Sequence, residues 1–398
     1  MYIRPEDQLL LCCARTKLSK DNADKITKLV NNSLDWDYLL QISKSHGLAP
    51  LLYYHLHRID FDHQIPQSIM DQLHNIYYSN LARNIPLSCE LNEILNVFKK
   101  KGIPVVVLRG LSLAQTIYNN IALRVTADID LLVQKKDLPR VAKTLFELKF
   151  RSPQFGLLTD EYSAELCFAK QTAAGSKYLG SVYIDVHQDI TSSIRLKEII
   201  KTDTERVITR ARLIRTNSAN MLVMVPEDLV LHLTLRHCFQ KLFRLCDIAE
   251  VIKLKKNELN WQSLLQKTKE NRLSIIMYYT LYYARQLLEA PVPDEVLKEL
   301  TPNWYRKKLL DNLLSRAVYP ANSGNLSRGR KYFLQILMSD RLIDVFLVLW
   351  RVMFPRSEWL VYYYGHSRSK KLYLSHLFNL FTILPAGIRD ILKVSGKR

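Results

Sequence analysis

The sequence predicts an α+β fold, a small mixed sheet with helices, flanked by N- and C-terminal helical regions. Three observations predict it. Two apolar runs, Val105 to Leu108 and Ile129 to Val133, bracket a Gly turn and a helix-like segment. Residues 182 to 187 alternate apolar and polar with the period of a strand. On either side, apolar residues recur three and four apart. The reading divides the 398 residues into an N-terminal helical region over 1–84, a core over 85–215 and a C-terminal helical domain over 216–398.

In chain order, residues 1 to about 84 are predicted helical, with leucines grouped at Leu9-Leu10-Leu11 and Leu39-Leu40. Ser33 is the expected cap before Leu34-Asp35. His46, His55 and His57 have no acid at ligand spacing and read as structural or surface residues. Pro66 to Lys101 reads as one long amphipathic helix, interrupted near Pro86 and ended by Gly102 and Pro104. Asp137 and Pro139 open a further helix whose Val141, Leu145 and Leu148 are spaced to pack on the sheet. Residues 151 to 190 read as strands with Gly connections at Gly175-Ser176 and Gly180-Ser181. Pro226-Glu227-Asp228 opens the C-terminal helices.

The chemistry concentrates between Arg109 and Val133. Side chains alternate along a strand, so Asp128 and Asp130 face one way and Ile129 faces the core. Paired carboxylates repel unless a cation lies between them, and a hard divalent ion with oxygen ligands is the natural one. The plainer alternative is a turn residue and a solvated strand residue. A third acid favours the site: Tyr183, Asp185 and His187 share one face of a second strand, which can pair beside the first.

A Gly turn after a strand, a helix, a D-x-D strand and a later acid resemble the nucleotidyltransferase superfamily that includes the palm of DNA polymerase beta. More closely, the chain is similar to a bacterial nucleotidyltransferase-like family whose core reads K/R-G, Tyr, Arg, then D-[IV]-D-L-L-V. Here these are Arg109-Gly110, Tyr118, Arg124 and Asp128-Ile129-Asp130-Leu131-Leu132-Val133. His46-Gly47-Leu48-Ala49-Pro50 upstream, and Pro226-Glu227-Asp228-Leu229, His232, His237 and Asp247 downstream, extend the resemblance less distinctively. Many superfamily members have Gly-Ser in succession, whereas Leu111 here separates Gly110 from Ser112.

The resemblance implies metal-dependent transfer of a nucleoside monophosphate from an NTP, ATP among them, to an acceptor that is a protein, an RNA or a small molecule. It implies that Asp128, Asp130 and Asp185 are catalytic and hold Mg2+ or Mn2+. Arg109, Gly110, Ser112, Arg124 and His187 are then the expected contacts to nucleotide phosphates, Gly110 by letting backbone approach the ligand. Arg124 can equally partner the acids, His187 can be a satisfied strand histidine, and an ion pair from the 232–237 segment to Asp247 is open. The rival function is a noncatalytic nucleotide- or polyanion-binding protein with a degenerate fold of this kind.

Composition sets the outer bounds. At 48% hydrophobic and 24% charged the chain is not disordered. Lys and Arg number 57 against 38 acids, which favours a polyanionic partner. The basic stretch 350–398, with nine Lys or Arg against two acids, is the candidate for touching an anionic membrane surface. Six scattered cysteines without C-x-x-C argue against zinc and against a disulfide framework. No signal peptide is read at the start, and Asp344 and Arg351 break the apolar stretch 342–354. A cytoplasmic location is the expectation.

Overall fold

A computed structural model describes residues 3–59, 61, 64–152, 165–172, 180–191, 202–216, 219–235, 241–317 and 338–354. The expected Gly175-Ser176 connection, Arg236, His237, and the basic tail from 355 onward lie outside the described residues.

The fold is α+β. Four helices, α1 (Pro5–Cys13), α2 (Lys20–Val30), α3 (Trp36–Ser45) and α4 (Ala49–Arg58), precede the long α5 (Gln67–Lys100). The core follows with β1 (Val106–Val107), α6 (Leu111–Thr116), β2 (Ile129–Leu132), α7 (Leu138–Glu147), β3 (Glu165–Gln171) and β4 (Ser181–His187). After α8 (Thr204–Arg210), β5 (Arg212–Arg215) and β6 (Asn220–Val223) complete the sheet. Helices α9 (Pro226–Leu235), α10 (Leu242–Leu254), α11 (Trp261–Glu270), α12 (Ser274–Leu288), α13 (Asp294–Leu300), α14 (Trp304–Ala317) and α15 (Leu342–Met353) make up the rest.

The sheet runs β3-β4-β2-β1-β6-β5 and is mixed. Strands β2 and β4 are parallel neighbours, with Asp130 opposite Asp185 and Leu132 opposite His187. Strand alternation sorts their side chains into two cores. Ile129, Leu131, Val133, Val182, Ile184 and Val186 pack with Leu87, Leu91 and Phe98 of α5 and with Val141 and Leu145 of α7. Val106, Leu108 and Leu132 face the other way, into a core shared by α1 to α4 and α9 to α13. The acids on β2 and β4 therefore emerge on the face that the flanking helices cover. Full burial of each aliphatic side chain contributes roughly 1.5–3 kcal/mol, which fixes the register that aims them.

Helix α5 carries Pro86 within it and runs unbroken through the expected division at residue 84. Its end is as expected: Gly102 adopts φ 63°, and the Ile103 amide returns to the Phe98 carbonyl. Two expected caps differ. Asp35, not Ser33, caps α3 by accepting the Tyr38 amide at 2.9 Å. Asp137 precedes α7 without capping it, because its carboxylate is taken by Arg140 at 3.0 Å. Among the described residues no helix is long and apolar enough to cross a membrane.

Candidate active site

Carboxylate oxygens of Asp128, Asp130 and Asp185 lie within 4.8 Å of one another. Neighbouring strands in parallel register bring Asp130 and Asp185 together, and the two-residue period adds Asp128 at the mouth of β2. Asp130 is buried at 1% exposure, while the other two are half-buried. Arg109 Nη2 reaches Asp130 Oδ1 at 2.6 Å, and His187 Nε2 donates to the same oxygen at 3.0 Å. Oxygen donors at this spacing suit a hard divalent cation, so the cluster is compatible with a divalent metal ion.

Gly110 shapes the turn beside this cluster. Its φ of 64° and ψ of −110° lie where an L side chain is strained. A Cβ there would come within 3.1 Å of Thr126 Cγ2 and 3.5 Å of the Asp128 carbonyl oxygen. What the missing side chain lets approach is thus the segment leading into β2, besides any ligand. That segment, 119–126, is held by side chains of α5. Asn84 Nδ2 donates to the Ile121 and Arg124 carbonyls at 2.6 and 3.1 Å, and Asn80 Nδ2 to the Ala122 carbonyl at 2.7 Å.

Asp128, Asp130 and the turn open on a cleft of about 460 Å³. Lys44, Gly47 and Pro50 from the N-terminal helices and Lys241, Phe243 and Arg244 from the start of α10 wall it, with Arg109, Gly110, Asp128 and Asp130 opposite. His46 joins the two helical walls. It is fully buried, and its Nδ1 accepts the Leu242 amide at 3.0 Å. Gly47, at φ 68°, leaves room for the Phe243 ring, which would stand 3.1 Å from a Cβ.

Of the expected phosphate contacts, Arg109 and Gly110 line the cleft. Ser112 does not. It is buried and lines a separate cavity of about 190 Å³ with Leu108, Thr116 and Met224, because two residues past the turn the helix α6 carries it away. His187 is buried on Asp130 and acts on the carboxylate, not on the cleft. Arg124 lines the cleft, yet its guanidinium is spent on Asp247: Nε to Oδ1 at 3.0 Å, Nη2 to Oδ2 at 2.8 Å, and Nη1 to the Val125 carbonyl at 3.0 Å. Tyr118 adds its hydroxyl to Asp247 Oδ1 at 2.8 Å. Burial opposes the Arg124 charge, but Asp247 more than offsets it and its pKa is raised. Burial first, and then Asp247, push the Tyr118 phenol well above its ordinary range. Asp247 thus takes its ion pair from Arg124.

Sequence reading missed Lys44, Lys241, Phe243 and Arg244, and assigned His232 no definite role. The residues upstream of Pro50 and downstream of Pro226 were the only signal that distant segments meet here. A family model described as "Uncharacterised nucleotidyltransferase" matches residues 32–289, more than half of the chain, from the start of the α3 region to the end of α12. Neither a curated protein nor a solved structure matches.

Proposed function

The chain belongs to the uncharacterised nucleotidyltransferase family, and from that premise we propose that it moves a nucleoside monophosphate from a nucleoside triphosphate to an acceptor, releasing pyrophosphate. The convergence of three carboxylates beside a basic cleft is the observation that carries this reading. Asp128, Asp130 and Asp185 would hold divalent cation, Mg2+ or Mn2+, between them. Held there, such an ion would supply the charge neutralisation that departure of pyrophosphate needs. Arg109 presents N–H donors to a phosphate, and Lys44, Lys241 and Arg244 make the opposite wall attractive to a polyanion. Asp185, half-buried, would complete that metal site or receive the acceptor's proton. Backbone at the Gly110 turn, not the Ser112 hydroxyl, supports the phosphates.

The acceptor class, whether protein, RNA or small molecule, is set by the helical walls and not by the fold. A cytoplasmic site of action belongs to this reading, as does contact of the basic tail with an anionic membrane surface. Salt-sensitive binding to anionic liposomes tests the latter.

Incubation of the purified chain with each α-labelled NTP, magnesium or manganese and cell extract should label an acceptor. A second reading, a noncatalytic nucleotide-binding protein, draws on the ion pair that Arg109 already gives Asp130 and on the position of Ser112. No labelling by any NTP, with a metal-dependent rise in melting temperature retained, favours that reading. Neither labelling nor a metal response removes both.

A further inference from the structure

The turn, the acid trio and the C-terminal helices are joined by a line of buried polar contacts that the proposed reaction has not yet used. His232, on α9, is 1% exposed. Its Nδ1 lies 3.0 Å from the Ile190 carbonyl oxygen, in the segment after β4. A carbonyl only accepts, so Nδ1 carries the hydrogen. Nε2 is then an acceptor, and it lies 3.5 Å from Arg109 Nη1, a group that only donates. The two partners together select one tautomer. The other arm of the same guanidinium, Nη2, meets Asp130 Oδ1 at 2.6 Å.

We propose that His232 is a positioning residue for Arg109. Tied at one arm to the imidazole and at the other to Asp130, the planar guanidinium has its rotation fixed. Arg109 lines the cleft, so the N–H groups left over need no ordering when an anion arrives. A lysine at 109, with one nitrogen, would not span both partners. That the anion is a nucleotide phosphate rests on the nucleotidyltransferase reading; the tautomer and the link between His232 and Arg109 do not. A histidine present only to satisfy the Ile190 carbonyl would make no such link.

Two measurements on the full chain separate these roles. In nitrogen spectra of 15N-histidine-labelled protein without ligand, His232 should be protonated at Nδ1 and bare at Nε2, and Arg109→Met should move the Nε2 resonance. Protonation at Nε2, or a resonance indifferent to Arg109→Met, overturns the proposal. Calorimetric affinity for a nonhydrolysable ATP analogue with magnesium should fall about tenfold in His232→Phe, the scale of one hydrogen bond to a charged group. His232→Gln, which keeps an acceptor, should recover part of that loss. Arg109→Met should cost less in the His232→Phe background than alone, the double variant losing no more than Arg109→Met by itself, and an equal cost in both backgrounds overturns the coupling. Should His232→Phe not fold, the His232→Gln affinity and the Arg109→Met spectrum decide. If the wild-type chain binds no analogue, the proposed function falls, while the spectrum still decides the positioning role.

Discussion

The acid trio on β2 and β4 and the cluster of Tyr118, Arg124 and Asp247 each take two residues from one short signature, Asp128 and Asp130 for the first and Tyr118 and Arg124 for the second, yet they use charge in opposite ways. In the trio, three carboxylates converge at the edge of a cleft, and Asp130 draws Arg109 and His187 onto one oxygen. In the cluster, one carboxylate meets a guanidinium through three N–H contacts and a phenol through a fourth, all buried. The first gathers like charge; the second, whose Arg124 and Asp247 line the same cleft, is matched in charge within the protein. An arginine beside a D-x-D strand is therefore not by type a phosphate contact. Its partner decides, and here the partner is 123 residues away.

The most severe test of this contrast is Asp130→Asn, which keeps shape but removes charge. Labelling of acceptor should fall by at least about 10²-fold, the scale of losing one charge-stabilising group in an active site, with the metal-dependent rise in melting temperature lost too. Retained labelling would show that the trio is not the reacting centre. Asp247→Asn and Arg124→Met should act on the body of the protein instead. Each leaves a buried partner uncompensated, at a cost of roughly 3–5 kcal/mol, read as a lower urea midpoint. Labelling per folded molecule should stay within a few-fold of wild type, and a selective loss of turnover would move Arg124 back to the phosphates.

A milder test falls on the turn between the two regions. Gly110→Ala should cost about 1–2 kcal/mol for the left-handed backbone alone, with more from the contact against Thr126 Cγ2. Adding Thr126→Ser removes that methyl and should return the second part only. Full recovery would show that the backbone is not strained at this turn, and no recovery that Thr126 is not what the Cβ meets.

The parts of this molecule visible in the sequence are those set by local periodicity. Alternation puts Asp128 with Asp130 on one face of its strand and Asp185 with Tyr183 and His187 on one face of another, and the parallel register of β2 with β4 brings Asp130 and Asp185 opposite. The Gly102 stop of α5 and the Pro226 start of α9 are likewise local chemistry. What was not visible depends on segments far apart in the chain. The His46 to Pro50 stretch beside Lys44 hints that distant segments meet but not that Lys44 and Arg244 share a wall, and nothing near Asn80 or Asn84 announces that they hold 119–126. Ser112 lies off the cleft for a different reason: a hydroxyl two residues past a turn follows the helix, and composition carries no record of that rotation. The mixed use of one core by α1 to α4 and α9 to α13 is also a long-range fact.

The smallest expected effect extends the contrast to the histidines. His187 and His232 serve the acid centre, whereas His55 serves the body: it is 3% exposed, and its Nε2 donates to the Arg15 carbonyl at 2.7 Å. Arg15 in turn pairs with Glu289 at 2.7 Å, which ties the N-terminal helices to the end of α12. Burial is the main reason the His55 pKa is lowered from its ordinary 6.5, the hydrogen bond to the Arg15 carbonyl pulling the other way. Above about pH 6.5 neither the folded nor the unfolded chain protonates this ring, and its contribution to stability is complete. As pH falls below that value the unfolded chain binds the proton first, so stability declines until the folded ring also titrates. The urea midpoint should therefore drop gently on acidification from pH 7 toward pH 5, and His55→Gln, whose amide can still donate to Arg15, should flatten that slope. An unchanged slope would assign the acid sensitivity to another group. A slope that vanished instead in Asp130→Asn would place it at the acid centre, and the division between a reactive edge and a self-contained body would fail there.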